Sequence, residues 1–405
     1  MTKVIIVGAG IGGLTAAIGL RRAGLEVKLY EQRTDPRMIE SGGGMVLQPN
    51  AMRGFQQLGV ADQVAAAGSV LERFEWCTPK GNRLAGWPVG EVARKVGAPM
   101  VGIRRMKLQG ALTGAIEDGA LELGAEVTGF SEDAGGVTVQ LAGGAEERGD
   151  LLIGADGINS TVRSLSLGPW TEPRYAGYAL WFGITEVDGS AADPTFRELD
   201  GPGARFISFP VGGREVYWSA IANAAEGTIA EGGGAEIEGD KEMLLRRHAG
   251  WAPPTESLLE ATDPSVIYRR EIADRDPIKK WGAGRVTLLG DAAHAMTINL
   301  GQGACQAIED GVVLTNCLAA EDDPIAALRS YEVKRIARTA PVVRRSRMIG
   351  EMGQWTNPLA CRVRNQIQRV VFPTVAFREF KQTMAYEFPP APEPVSPRVS
   401  RPASG

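Results

Sequence analysis

Residues 3–7 read Lys3-Val-Ile-Ile-Val7, residues 8–13 read Gly8-Ala-Gly10-Ile-Gly-Gly13, and residues 25–31 read Leu25-Glu-Val-Lys-Leu-Tyr-Glu31. The first run is short, unbroken and β-branched, which predicts a strand buried on both faces, as in a parallel sheet. Leu14 to Ala23 carries helical periodicity, and Gly24 stops it. Residues 25–30 alternate as a second strand, closed by Glu31. Together they form a β-α-β unit with the G-x-G-x-x-G spacing of a dinucleotide loop. Gly8 permits the tight turn, Gly10 lets backbone approach a pyrophosphate, and Gly13 lets the helix pack on the strand. The helix N-terminus offers free N–H groups and positive dipole to phosphates. Glu31 can accept hydrogen bonds from both ribose hydroxyls and would repel a 2′-phosphate, so the adenosine of FAD or NAD is expected there in preference to that of NADP.

Two later segments repeat the pattern of a buried strand that ends at a glycine. In Asp150-Leu-Leu-Ile-Gly154-Ala-Asp156-Gly157, the Asp156-Gly157 pair turns the chain sharply at a strand's carboxyl end, where doubly wound sheets bind ligands. The same residues also suit a plain turn and helix cap. In Arg285-Val-Thr-Leu-Leu-Gly290-Asp291, the acid follows a buried strand and is placed to accept a hydrogen bond from a polyol. Gly301 and Gly303 flank the start of the next helix, which sets unpaired N–H groups against an electron-rich ring. Gly282-Ala-Gly284 precedes a strand instead of following one, so it is no second dinucleotide loop.

Between these segments the character changes. Residues 178–186, 204–209 and 214–222 alternate as strands of an antiparallel sheet, rich in aromatics. The expected fold is therefore α/β: a Rossmann-like dinucleotide domain with a parallel sheet, an antiparallel β-sheet substrate domain, and C-terminal helices. The expected boundaries are 1–72 with 101–170 and 271–350 for the first, 73–100 with 171–270 for the second, a helical segment over 351–387, and a disordered proline-rich tail over 388–405. Helix is expected over about 50–68, 105–118 and 303–319, and over 324–350 with a break near Pro341. Extended chain is expected over 72–100, and mobile loops at Gly42-Gly43-Gly44 and 225–235. Residues 334–381 hold eleven Lys/Arg and two Asp/Glu, and are read as a solvated helical face with some attraction for flavin phosphates, the alternative being a surface for an acidic partner.

Composition narrows the functional classes. A chain of 405 residues exceeds what one core sustains, so two domains are expected. The net charge of −4 suggests neither nucleic acid nor membrane as a partner. Two histidines, His248 and His294, leave no basis for a multi-histidine metal site, and no metal is expected. The four cysteines form no C-x-x-C pair and read as free thiols in a reducing cytosol. No run of 18 apolar residues suggests a membrane span, and the N-terminus does not read as a signal peptide, so a cytoplasmic location is expected.

Taken in order and spacing, the three glycine-marked segments resemble the class A flavoprotein monooxygenases, the single-component FAD-dependent aromatic hydroxylases, over roughly residues 1–350. The resemblance implies that Gly8, Gly10, Gly13 and Glu31 hold the ADP part of FAD. It implies that Arg105, with Gln109, contacts FAD, that Asp156 and Gly157 serve FAD and NAD(P)H, and that Asp291 contacts the ribityl chain. The backbone of 299–303, including Leu300, Gly301 and Gly303, would face the pyrimidine edge. The implied function is NAD(P)H- and O₂-dependent hydroxylation of a small aromatic or heteroaromatic compound through a flavin C4a-hydroperoxide, with NADH or NADPH as co-substrate, by a monomer or homodimer. A flavin-dependent epoxidase or tailoring enzyme acting on a polycyclic or isoprenoid substrate is the alternative, and an FAD-binding regulatory module is the alternative of another class. Ile298 stands where the family usually has proline, and is read either as an apolar wall beside the flavin or as a change in oxygen reactivity or substrate fit. His294 is expected to be structural. The segments 175–181 and 249–254 resemble the urate hydroxylase branch, with salicylate hydroxylases as near relatives. For the substrate, Arg205 and Tyr217 are the candidate positioning residues, on neighbouring strands with Trp181, Phe206 and Trp218 nearby.

Overall fold

The computed structural model describes residues 1–35, 43–116, 119–168, 172–187, 193–228, 232–233 and 239–389. The β-branched runs form one parallel five-stranded sheet, in the order Val286–Leu288, Leu151–Gly154, Lys3–Val7, Glu26–Glu31, Leu121–Leu123. The central strands are buried because helices pack on the sheet, chiefly Ile11–Arg22 against Gly303–Ala320. Close approach of those two helices needs small residues: a Cβ on Gly311 would lie 2.8 Å from the backbone nitrogen of Ala16.

The second layer is an eight-stranded, mostly antiparallel sheet. From Gly232–Gly233 it runs through Tyr268–Asp274, Arg174–Glu186, Glu215–Asn223, Ala204–Gly212, Thr195–Gly201 and Arg73–Cys77 to Arg83–Trp87. The period of two gives the sheet two different faces. One carries Tyr178, Leu180, Phe182, Phe209 and Tyr217; the other carries Trp181, Phe206 and Trp218, which pack against the helices Asp240–Arg247 and Thr255–Ala261. The α/β architecture with a parallel sheet, an antiparallel sheet and C-terminal helices is thus as the sequence predicts.

Several local expectations are corrected. The expected extended stretch 72–100 contains a helix, Val89–Val96, beside its two strands, and Gly97 ends that helix with φ +84°. The expected helix over 50–68 is two, Pro49–Gln57 and Ala61–Ala66. The helix after Arg105 stops at Thr113. Pro341 does not break its helix, which runs unbroken over Pro324–Gly353. Pro341 sits on the exposed side, and the carbonyl it leaves without a helical partner belongs to Ala337, also exposed, so water can satisfy it.

The basic stretch is only in part a solvated face. Arg335 and Arg364 are fully buried, and Arg338, Arg345 and Arg347 are ion-paired. Of the proline-rich tail, Phe388 packs on Tyr386 and the main core, and the Pro389 carbonyl accepts from Asn316, so these two residues are ordered. Residues 390–405, and parts of the loops expected at 42–44 and 225–235, lie outside the described residues. No described helix is long and apolar enough to cross a membrane.

Candidate functional site

Three parallel strands end at one cleft. The chain leaves them at Gly8, at Ala155-Asp156 and at Gly290-Asp291, which is where a doubly wound sheet offers space for a ligand. The cleft has a volume of about 800 Å³ and is lined by Gly8, Gly10, Glu31, Arg105, Asp156 and Asp291, among others. The glycines differ in what they do. Gly8 has φ +101°, and a Cβ there would lie 2.4 Å from the Ala155 carbonyl oxygen. A Cβ on Gly13 would lie 2.0 Å from the Gly8 carbonyl oxygen, so this glycine lets helix and strand touch. A Cβ on Gly10 would meet nothing within 4 Å; it would project into open space.

The helix Ile11–Arg22 begins at Gly10 with no side-chain cap and no acid in its first turn, so its leading N–H groups keep their capacity for an anion. Glu31 is buried and accepts from the backbone N–H of Ala9 at 3.0 Å and of Arg33 at 3.0 Å. It therefore ties the end of the second strand to the glycine loop. Gln109 donates to the Ala9 carbonyl at 2.8 Å, and its buried Oε1 has no protein partner among the described residues.

Asp156 lines the cleft, yet both its oxygens are engaged, one by the Ser160 hydroxyl and the other by the Val162 N–H at 3.1 Å. Burial pushes its carboxyl upward, against these hydrogen bonds. Its visible work is to cap the helix Thr161–Leu167. Gly157 takes φ +81° in the same turn, the conformation that makes glycine necessary.

The cleft opens into a second cavity of about 690 Å³ between the eight-stranded sheet, the loop 295–304 and the C-terminal helices. Arg105, Ile158, Phe182, Arg270 and Asp291 border both. The loop turns at Gly301, φ +60°, and Gln48 donates to the Leu300 carbonyl at 2.8 Å. The helix Gly303–Ala320 then starts with no side-chain cap and no acid in its first turn. Ile298 stands on this loop, 37% exposed toward the cavity it lines. His294 is buried behind it, with Nε2 2.6 Å from Asp310 Oδ2. Asp310 also accepts from the Gly290 N–H at 2.9 Å and from Arg335 Nε at 2.5 Å, so His294 belongs to a structural network beneath the loop.

The residues present fit FAD. Gly10 leaves a cradle that any side chain would fill, two helix N-termini face the joined cavities, and a buried glutamine oxygen stands unpartnered beside the glycine loop.

On the sheet, Arg205 and Tyr217 occupy neighbouring strands and the same cavity, but not one spot. Arg205 pairs in register with Ile221 and Phe209 with Tyr217, a separation of four residues, or about 13 Å along the strand. Tyr217 lies against Gly44, whose Cβ would come within 2.7 Å of the ring. Arg205 is 1% exposed and donates to Glu198 Oε1 at 3.2 Å and to Asn299 Oδ1 at 2.6 Å. Trp181, Phe206 and Trp218, expected nearby, point to the opposite face, because their strand positions are odd-numbered steps away from the cavity-lining residues.

Sequence reading missed three groups here. Asn299 was read only as backbone, yet its side chain joins Arg205 to Tyr178, Thr297 and Ser346. Gly350 and Gly353 make room for this junction, since a Cβ on either would meet Asn299 or Arg205. Glu198 is on a strand that was not recognised, although Phe196, Glu198 and Asp200 alternate toward one face. Its carboxyl is raised to about 8, first by burial and then by the neighbouring Asp200, with Arg205 acting in the opposite direction.

Residues 1–346 match a family described as an FAD binding domain. The chain is 43% identical over 368 residues to the aurachin C monooxygenase/isomerase of Stigmatella aurantiaca, covering 91% of this chain and 94% of that one. It is 34% identical over 347 residues to an FAD-dependent urate hydroxylase of Klebsiella pneumoniae subsp. pneumoniae, covering 85% and 88%. The solved structure of Klebsiella pneumoniae HpxO complexed with FAD and uric acid has the same fold, with a TM-score of 0.87, 31% identity and coverage of 95% and 96%.

Proposed function

Because the chain belongs to the FAD-binding class A flavoprotein monooxygenases, enzymes that use NAD(P)H, we propose that it hydroxylates an aromatic or heteroaromatic small molecule held in the cavity between the eight-stranded sheet and the loop 295–304. When bound, FAD supplies the chemistry: it takes a hydride from the nicotinamide nucleotide and activates O₂, so that with one proton one oxygen atom enters the ring and the other leaves as water. The protein's share is to bind, orient and exclude water.

Gly8, Gly10 and Gly13 with Glu31 would hold the ADP part, and Arg105, Gln109, Asp156 and Gly157 would border it. Asp291 would meet the ribityl chain, and the Leu300–Gly303 backbone the pyrimidine edge. Arg205 would hold an oxygen of the substrate in its ionised form, with Asn299 fixing the guanidinium, while Tyr217 closes the other side of the cavity. The single observation that carries this reading is the continuity of the two cavities past Arg105 and Asp291, which sets a cofactor cleft end to end with a buried, mostly apolar chamber. Four free, unpaired cysteines also support a reducing, cytoplasmic setting.

The test is direct. Purified protein should retain FAD, and an aromatic compound from a phenol and heteroaromatic panel should accelerate NAD(P)H oxidation with matching O₂ uptake and yield a hydroxylated product. FAD retention with no compound accelerating oxidation would reject the hydroxylase reading.

A further inference from the structure

A row of aromatic rings crosses the floor of the substrate cavity. Tyr217 is 4.8 Å from Phe209, Phe209 is 5.4 Å from Phe196, Phe196 is 5.2 Å from Phe74, and Phe74 is 4.7 Å from Trp87, centroid to centroid. Each ring stands on a different strand, so the row spans four inter-strand spacings, or about 19 Å. All five rings line the cavity. Phe74 and Phe196 are only half-buried, although helices cover this side of the sheet, because the cavity borders them.

The helices on the other side of the cavity are apolar, with Phe372 over Trp76 at 4.8 Å and Phe380 stacked on Trp87 at 5.5 Å, so they close the Trp87 end of the row and leave aliphatic side chains along the rest. Met352 on the helix Pro324–Gly353, and Ile367 and Val371 on the helix Pro358–Val371, line the same space. The ionisable and amide side chains Arg205, Glu198, Asn299 and Gln48 gather at the end nearest the loop 295–304. Arg345 and Glu379, on two different helices, pair at 3.0 Å and also line the space. A lone aromatic ring at the polar end would leave this slot unused.

We propose that the substrate is an aromatic head bearing an extended aliphatic chain, with the head at Arg205 and Asn299 and the chain lying between the aromatic row and the Met352–Val371 wall. This rests on the hydroxylase reading above, and names the substrate class for that same site.

The experiment uses the FAD-loaded enzyme and a series of 4-alkylphenols, from phenol to 4-octylphenol. Binding is read from the perturbation of the flavin absorption spectrum, without turnover. Each added methylene should lower Kd by about fourfold until the slot is filled. Val371→Trp, at a position 39% exposed and able to take a larger ring, should abolish the gain from the long chain. A melting curve confirms that the variant folds, and the wild-type series stands without it. Equal affinity across the wild-type series, or a chain-length gain that survives in folded Val371→Trp, would overturn the slot while leaving the hydroxylase reading intact. Failure of every phenol to perturb the flavin would also overturn the slot, whereas the hydroxylase reading stands or falls on the turnover panel above.

Discussion

Arg205 Nη2 donates to Asn299 Oδ1 at 2.6 Å, and this bond joins the eight-stranded sheet to the loop 295–304. Asn299 Nδ2 in turn reaches Tyr178 Oη, Thr297 Oγ1 and the Ser346 carbonyl, each at 2.9 Å. A guanidinium held this way has one orientation. Asn299→Ala should leave a buried arginine and several buried partners unsatisfied, at about 1–3 kcal/mol. Urea unfolding would show the loss, and substrate-stimulated NAD(P)H oxidation should fall more than FAD affinity does. Unchanged stability would show that the junction is not a constraint.

Gly10 and Gly13 should respond oppositely to the same substitution. Gly10→Ala places its methyl in the open cleft, so the protein without FAD should melt near the wild-type temperature while FAD affinity falls at least tenfold. Gly13→Ala drives a methyl into the Gly8 carbonyl, 2.0 Å from the oxygen, and should destabilise the fold itself. Paired melting curves with and without FAD distinguish the two.

Glu31→Ala removes the acceptor for the Ala9 and Arg33 N–H groups. Hydrogen bonds to a charged acceptor contribute about 1.5–3 kcal/mol, so FAD should bind at least tenfold more weakly by equilibrium titration. Equal affinity would remove Glu31 from the cofactor site.

Glu198 makes stability depend on pH. Its folded-state value, about 8, lies above the ordinary 4.5, so between those limits the folded protein holds more protons than the unfolded chain. Stability from this group therefore falls as pH rises from about 4.5 to about 8. Glu198→Gln should flatten that part of the stability–pH curve, as measured by urea unfolding at a series of pH values.

His248 works in the other direction. Burial lowers it to about 4 from 6.5, so the unfolded chain takes up the proton first as pH drops. Stability from this group is present above about 6.5 and lost as pH falls toward 4. His248→Phe, which keeps a ring against Phe206 and Trp251, should lessen the acid sensitivity in the same assay.

Much of the cofactor cleft was legible in the sequence because its parts are local. A buried strand, a glycine turn and a helix start are set by neighbours along the chain. Three repeats of that pattern, ending at Gly8, Gly154 and Gly290, were enough to define the parallel sheet and the positions of Glu31 and Asp291 at its edge. Pro341 was misread by the same logic, since a local rule says that proline ends a helix. Exposure of Ala337 and packing on the other side of the helix override it.

The chamber beside the eight-stranded sheet could not be read in that way. Its wall is assembled from strands as far apart in the chain as Gly44–Leu47 and Tyr268–Asp274, and a one-step difference in register turns a ring from the chamber to the far face. Trp181 and Tyr178 illustrate this: both are aromatic and lie on one strand, yet they pack in different clusters and Tyr178 bonds Asn299 of the loop 295–304. Residues 1–31, 150–157 and 285–303 carry an α/β chain with a cofactor cleft in their local order, because glycine turns and strand ends are encoded by neighbours along the chain. That Asn299 fixes Arg205, that Glu198 lies beside them, and that an aromatic row lines the chamber follow from packing alone, because those relations exist only once distant strands and helices have met.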